Sequence, residues 1–283
     1  MRKALASLAL LTVTWLIPTS ASAQSPAEFL RQAESYKVTD LHNPNTMRRH
    51  LNLYRQALAA DPNSYDAAWK GARGALYVWR MTVDESEKRA VASLALDLAR
   101  TAQKLNPQGS EGYFFAGMAF QAYAVSVGVL NVLQATPQVK AALDRSLALD
   151  PDFLYGAPHM YLGLLYHILP GFPLSIGNRQ AALKHMELAV AARPQSPIRL
   201  MYYADILRTN RRFEEATKVL DSIEWTVKRD AERSVYESDY IQLPMAKAQA
   251  AEIRRMIEAE VASSNTDLYD KIPVSVVKEM LAE

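Results

Sequence analysis

Leu143-Asp144-Arg145-Ser146-Leu147-Ala148-Leu149-Asp150-Pro151 closes one helical unit of this chain, and three other segments close in the same way. They are Tyr54-Arg55-Gln56-Ala57-Leu58-Ala59-Ala60-Asp61-Pro62, Ala99-Arg100-Thr101-Ala102-Gln103-Lys104-Leu105-Asn106-Pro107 and Met186-Glu187-Leu188-Ala189-Val190-Ala191-Ala192-Arg193-Pro194. The four prolines follow one another at 45, 44 and 43 residues. A proline has no N–H to continue a helix, so each marks a stop. Five residues before each stop the side chain is small: Ala57, Ala102, Ser146, Ala189. Small groups at a fixed register are what closely crossing helices require. A fixed period in this range is the signature of a helical repeat array.

Working outward, a second helix shows its buried face just after each stop. Pro107 is followed by Tyr113, Ala116, Gly117 and Phe120, and Pro194 by Leu200, Tyr203, Ala204 and Leu207. With two extra residues, Pro151 is followed by His159, Leu162, Gly163 and Tyr166. This spacing resembles helix A of a tetratricopeptide repeat, and the small-residue helix before each proline resembles helix B. A fifth partial unit starts at the Asn210-Arg211-Arg212 turn and ends near Ile223. The expected fold is all-α: helical-hairpin repeats, elongated to a period of about 44 residues, forming a compact solenoid. Residues 24–223 read as the repeat domain, and 224–283 as C-terminal capping helices and a tail.

The period exceeds the usual 34 residues by about ten. The excess is expected mostly between helix A and helix B. Two inserts stand out, Val125 to Leu133 before Pro137, and Leu169-Pro170-Gly171-Phe172-Pro173-Leu174-Ser175-Ile176-Gly177-Asn178. The second is unusually apolar for a connection, which suggests a covered groove or a partner. Phe114 to Ala135 carries no charge, and its polar side chains and glycines favour burial in a core over a membrane span. Leu243 to Val261 reads as a long charged helix, and Asp267 to Glu283 ends in an amphipathic stretch expected to cap the last repeat.

Residues 1–23 read as a secretory signal peptide: Arg2 and Lys3, an apolar run from Ala4 to Ile17, then Ala21-Ser22-Ala23 before Gln24. The run is too short to span a bilayer. The chain has no cysteine, which excludes disulfides, thiol nucleophiles and a lipidated N-terminal Cys. Removing Arg2 and Lys3 from the 32 basic residues leaves 30, against 30 acidic ones. Such balance points to no nucleic-acid partner, and the dense basic spots Arg48-Arg49-His50 and Arg211-Arg212 read as solvated helix ends. No GxSxG elbow, phosphate-binding glycine loop or HExxH helix is present, so no catalytic residue, metal site or cofactor is expected. His159 and His167 share a helix but stand eight apart, too far for one metal ion, and a packing role is expected of both.

In the tetratricopeptide register, helix A lines the inner groove with residues lying between the buried ones. That register selects Trp69, Arg73 and Tyr77 in the first unit, and Phe114, Met118 and Gln121 in the second. It selects Met160, Leu164 and His167 in the third, and Met201, Asp205 and Arg208 in the fourth. This wall is apolar and aromatic with a few polar groups, a composition that suits an amphipathic small molecule or an apolar helix. The competing reading is that the stripe is ordinary core.

One family resemblance covers about residues 110–223. Leu149-Asp150-Pro151-Asp152-Phe153, Tyr161-Leu162-Gly163-Leu164-Leu165-Tyr166, Leu169-Pro170-Gly171 and Ala181-Ala182 leading into Glu187-Leu188-Ala189-Val190 carry it. Together they resemble the T component of tripartite ATP-independent periplasmic (TRAP) transporters. The resemblance implies helical repeats around a hydrophobic cavity or pore, association with a periplasmic solute-binding subunit, transfer of an apolar small ligand, and homo-oligomerisation. The expected function is therefore a non-enzymatic periplasmic binding protein, accessory to solute uptake. The alternative is an interaction scaffold whose groove takes a peptide or helix of an envelope partner. Members can be lipoproteins; this chain has no cysteine to lipidate.

Overall fold

The computed structural model describes residues 24–37, 40–41, 43–225 and 233–262. The expected leader, His42 and the stretch from Asp267 to Glu283 lie outside the described residues. Among the described residues, eleven α-helices follow in order: α1 (Pro26–Ser35), α2 (Pro44–Ala60), α3 (Tyr65–Met81), α4 (Glu85–Leu105), α5 (Ser110–Val127), α6 (Val129–Leu149), α7 (Ala157–Ile168), α8 (Arg179–Ala192), α9 (Pro197–Thr209), α10 (Phe213–Asp221) and α11 (Arg233–Ala262). Within that set the only β-type pairing is an isolated bridge between Gly171 and Gly177.

Local chemistry sets the boundaries. Ser64, Asp84, Asn178 and Ser196 each accept a hydrogen bond from a first-turn backbone N–H, which starts α3, α4, α8 and α9. At the far ends the recurring Asp/Asn-Pro pairs turn the chain. The Asp61, Asn106 and Asp150 N–H groups donate to Ala57, Ala102 and Ser146 carbonyls. Their side-chain oxygens then accept from Asn63, Gln108 and Asp152 N–H at 3.0, 3.1 and 3.0 Å. Each is an Asx turn, which is why Asp or Asn precedes three of the four prolines.

Consecutive helices pack as antiparallel hairpins: α1 with α2, α3 with α4, α5 with α6, α7 with α8, α9 with α10. The hairpins stack through α2 on α3, α4 on α5 and α8 on α9. Ala57, Ala102, Ser146 and Ala189 are all fully buried, as their crossing positions demand. A Cβ on Gly112 would stand 3.0 Å from the Gln103 backbone N, so α5 approaches α4 at glycine distance.

Part of the excess period lies elsewhere than expected. Val125 to Leu133 is no loop insertion: it is the last turn of α5, a break at Gly128 (φ +137°) and the first turns of α6. Pro137 lies inside α6. The added residues lengthen helices, to 21 in α4 and α6 and 18 in α5. Only Leu169 to Asn178 is a true loop, closed by Gly177 N–H to Pro170 O and Asn178 N–H to Tyr166 O, both 2.9 Å. The two extra residues after Pro151 form a left-handed turn at Leu154, Tyr155 and Gly156. Arg199 holds it, donating to the Leu154 and Tyr155 carbonyls at 3.0 and 2.5 Å and to Ala189 O at 2.6 Å.

Two large apolar cores form. One joins α2 to α7 through residues such as Met47, Leu96, Phe114 and Leu162. The other joins α7 to α11 through Met186, Met201, Ile206 and Leu220. Tyr161 and Tyr166 of α7 pack against both. The long charged helix α11 buries Ala246, Ala250, Ile253 and Ile257, a stripe at helical spacing, and packs across α9 and α10.

Candidate functional site

The helix A wall contains a continuous aromatic seam. Trp69 of α3 stacks on Phe115 of α5, centroids 5.8 Å apart and planes 10° apart. Phe115 meets Phe114 edge-on at 5.1 Å, and Phe114 meets Phe153 at 5.3 Å and Tyr161 of α7 at 5.5 Å. Such pairs each add about 0.5–1.5 kcal/mol beyond burial. Two cations, Lys70 and Arg73, stand 5.4 Å from the Trp69 ring. The indole N–H donates to Asp66 at 3.1 Å.

Of the residues the register selects, Tyr77, Phe114, Met118 and Met160 are buried in the cores, as are Arg73 and Met201. Trp69, Gln121 and Leu164 are half-buried and form the accessible part of the wall. Phe115, Phe153 and Tyr161 belong to the same seam and were not selected. Phe115 and Tyr161 each follow a selected residue by one position, and Phe153 lies in the turn before helix A, so the register passes over them.

The polar residues at the far end meet one another. Asp205 accepts from His167 Nε2 at 2.9 Å and from Arg208 Nε at 2.8 Å, with Arg208 Nη2 2.7 Å from the same oxygen. Arg208 Nη1 also donates to Glu260 of α11. Thr209 Oγ1 lies 3.5 Å from His167 Nδ1 and donates to Ile206 O at 3.0 Å. His167, Asp205 and Arg208 are all buried. Burial works against the Asp205 charge most strongly, yet Arg208 and the hydrogen bonds from His167 and Arg208 hold its carboxyl well below the usual range. An ionised carboxylate only accepts, so His167 Nε2 carries the hydrogen between them. The cluster ties α7, α9 and α11 together. Asp205 is saturated by donors and is a poor general base.

His159 and His185, on the facing helices α7 and α8, bring their Nδ1 atoms within 2.9 Å. Tyr166 stacks on His185 at 5.6 Å. Burial lowers the His159 pKa. Burial and then the neighbouring His159 push His185 down to about 4, with Lys184 and Lys140 adding and Asp144 opposing. Spacing along one helix compares His159 with His167; its actual neighbour lies 26 residues away across the hairpin. Among the described residues no three His, Asp or Glu side chains converge to hold a metal ion.

The profile of the TRAP transporter T-component family matches residues 66–233, more than half of the chain. The chain belongs to this family. The matched span runs from the first turn of α3 to the first residue of α11, and so contains the whole seam and all of the ion cluster except Glu260. Among solved structures, a thermophilic TPR protein of Thermus thermophilus, TTC0263, is similar to the T-component with 16% identity and a TM-score of 0.56. That alignment covers 81% of this chain and 98% of the other, and shows the tetratricopeptide fold. Pseudomonas aeruginosa pilF aligns with 15% identity over 87% of this chain and 95% of its own, at a TM-score of 0.49. No curated protein matches. Among the described residues of the T-component, no helix is long and apolar enough to cross a membrane.

Proposed function

We propose that this T-component is a non-enzymatic periplasmic accessory subunit of a TRAP-type uptake system, binding the apolar part of an amphipathic small molecule along its helix A wall. The observation that carries the reading is the aromatic seam from Trp69 to Tyr161, with its half-buried end beneath two cations. Trp69, Gln121 and Leu164 would contact the ligand. Tyr77, Phe114, Met118 and Met160 support them from behind. Lys70, half-buried beside Trp69 and shared with Asp66 and Glu34, would meet a carboxylate or similar polar end, with the buried Arg73 behind it. His167, Asp205 and Arg208 engage one another, so their part is to fix α7 against α9. Burying one aromatic-sized group yields about 2–3 kcal/mol, so micromolar affinity, about 8 kcal/mol, needs about three such contacts. Export through the leader at residues 1–23 would place the protein beside a periplasmic solute-binding subunit.

The second reading, a scaffold for a peptide or helix of an envelope partner, draws on the burial of Tyr77, Phe114, Met118 and Met160, which leaves Trp69, Gln121 and Leu164 as the accessible strip. Native mass spectrometry and calorimetry on protein purified from the envelope separate the two. A copurifying small molecule whose affinity falls at least tenfold in Trp69→Ala supports the ligand reading. Absence of any ligand, with uptake intact in Trp69→Ala, sinks it. Capture of an unrelated assembly factor in place of a solute-binding subunit sinks the transport role.

A further inference from the structure

The two edges of the solenoid differ in chemistry. Because successive helices pack antiparallel, the turns within hairpins lie along one edge and the turns between hairpins along the other. Two contacts fix this arrangement. Trp79 at the end of α3 donates to Ser126 Oγ at the end of α5, at 2.8 Å. At the opposite edge, Tyr65 at the start of α3 donates to Glu111 at the start of α5, also at 2.8 Å. The between-hairpin edge is polar and mixed in charge: its Asx-Pro turns and helix ends carry Asp61, Glu111, Asp150 and Asp152, an Asp66–Lys70 pair, and Lys104 in the last turn of α4.

Among the described residues, the within-hairpin edge carries most of the exposed large apolar side chains. Val83 projects from the α3–α4 turn with 91% of its surface exposed, and Leu130 from the α5–α6 turn with 74%. Phe172 and Leu174 project from the α7–α8 loop with 94% and 74%. Tyr123 and Val127 at the end of α5 add to the middle tip. Leu130, Phe172 and Leu174 are flanked by uncharged sequence, from Phe114 to Val139 and from Leu169 to Asn178. Cations stand behind the first tip: Lys88 lies 5.0 Å over the Trp79 ring, and Arg89 reaches Ser126 O at 3.4 Å. Arg211 is exposed at the α9–α10 turn. Of the three acids that begin α4, Asp84 caps the helix, Glu87 is paired with Arg48 at 2.7 Å, and Glu85 is exposed.

We propose that the within-hairpin edge docks on a lipid bilayer surface, with the three apolar turn tips inserted among headgroups and acyl chains. The tips project from three separate turns and are each at least 74% exposed, so they do not enclose a peptide. A soft planar medium accepts tips of unequal height, with aromatic and aliphatic ends immersed and cations at headgroup level. Phe172 and Tyr123 suit that interface. Among the described residues the between-hairpin turns expose one large apolar side chain, Tyr155 at 38%, so insertion orients the molecule with its within-hairpin turns down. Docking of this kind supplies attachment to a chain that has no cysteine to lipidate, and it does not depend on what the helix A wall binds.

The test is flotation of the exported, processed protein with vesicles of phosphatidylethanolamine and phosphatidylglycerol. The wild type is expected to float. The paired variants Val83→Ser/Leu130→Ser and Phe172→Ser/Leu174→Ser should each partition about tenfold more weakly, since every buried methylene strengthens membrane binding. The quadruple variant should stay in the soluble fraction. All four side chains are exposed, so circular dichroism and melting temperature should match the wild type. Leu188→Ser, exposed on α8 away from this edge, serves as the unaffected control. In Phe172→Trp, emission should shift to the blue and be quenched by brominated lipid. A wild type that does not float, or a quadruple variant that floats equally well, overturns the proposal. So does light scattering in which the quadruple variant breaks a self-associated state while neither form binds vesicles; the edge would then be a contact between copies.

Discussion

Asp205→Asn probes the buried ion cluster with almost no change in volume. The carboxylate accepts from His167 Nε2 and Arg208 Nε at 2.9 and 2.8 Å, and Arg208 keeps a second acid in Glu260. Asparagine can still accept from Arg208 through its carbonyl oxygen and donate to a His167 of the other tautomer. The substitution therefore removes charge while most hydrogen bonds survive. Removing one partner of a buried pair costs about 3–5 kcal/mol, and the remaining Glu260 places this case near the low end, about 3 kcal/mol. With a urea dependence of about 2 kcal/mol per molar, the midpoint should fall by about 1.5 M. Asp205→Ala should cost more, because it also leaves His167 and Arg208 donors unmet. The loss should be local: amide exchange should accelerate in α7, α9 and α11 and stay near wild type in α2 to α4. The Asp205 carboxyl is held below its ordinary pKa, so its contribution is present above that value and lost on acidification. The penalty of Asp205→Asn should thus be full at neutral pH and shrink below about pH 4. A cost under about 1 kcal/mol, or faster exchange spread evenly over all hairpins, refutes the reasoning.

Three further outcomes follow from the packing. His185 titrates near 4 when folded, against 6.5 ordinarily, so the unfolded chain binds the extra proton and stability should fall as pH drops from about 6.5 to 4. The full shift corresponds to about 3 kcal/mol; solvent screening at this half-exposed site reduces it to about 1.5 kcal/mol, and His185→Gln should flatten that slope in melting experiments. Arg199→Met removes three charged hydrogen bonds to carbonyls of Leu154, Tyr155 and Ala189 and should lower stability by about 3 kcal/mol; Arg199→Lys, with no planar fork to span them, should recover less than half. In Gly163→Ala the new Cβ meets Met186 N at 3.2 Å and Ala182 O at 3.3 Å, so α7 and α8 must separate, at a cost of about 1–2 kcal/mol. Gly74→Ala meets nothing closer than 3.6 Å in mid-helix and should instead stabilise by about 0.5–1 kcal/mol; calorimetry of both variants checks the contrast.

Much of the architecture was legible because its signals are local. The Asp/Asn-Pro stops are Asx turns, and the small residues five positions earlier are fully buried crossing points. Helix length was harder to read. Pro137 suggests an interruption, yet it lies inside α6, and the break falls at Gly128 instead. The repeat register picks out Trp69, Phe114 and Leu164 but assigns them by periodicity, which cannot tell an inner wall from a core. Pairings were hidden for another reason. His167 meets Asp205 across 38 residues, Arg208 meets Glu260 across 52, and His159 meets His185 across 26. No local pattern encodes such distances; only the stacking of helices creates them.

The added residues went into helices, and this changes what kind of object the array is. A 21-residue helix is about 32 Å long, whereas each half of a 34-residue unit, turn included, has room for about 25 Å at most. Lengthening connections would have left the stack narrow and its loops loose. Lengthening α4, α5 and α6 broadens the middle layers, so their crossings gain further turns of packed side chain. There the array becomes a slab more than a ribbon. A ribbon gains contact area by adding units along its axis, but a slab gains it across each unit. The broadened middle hairpins can then present a surface that a narrower array would need additional repeats to match.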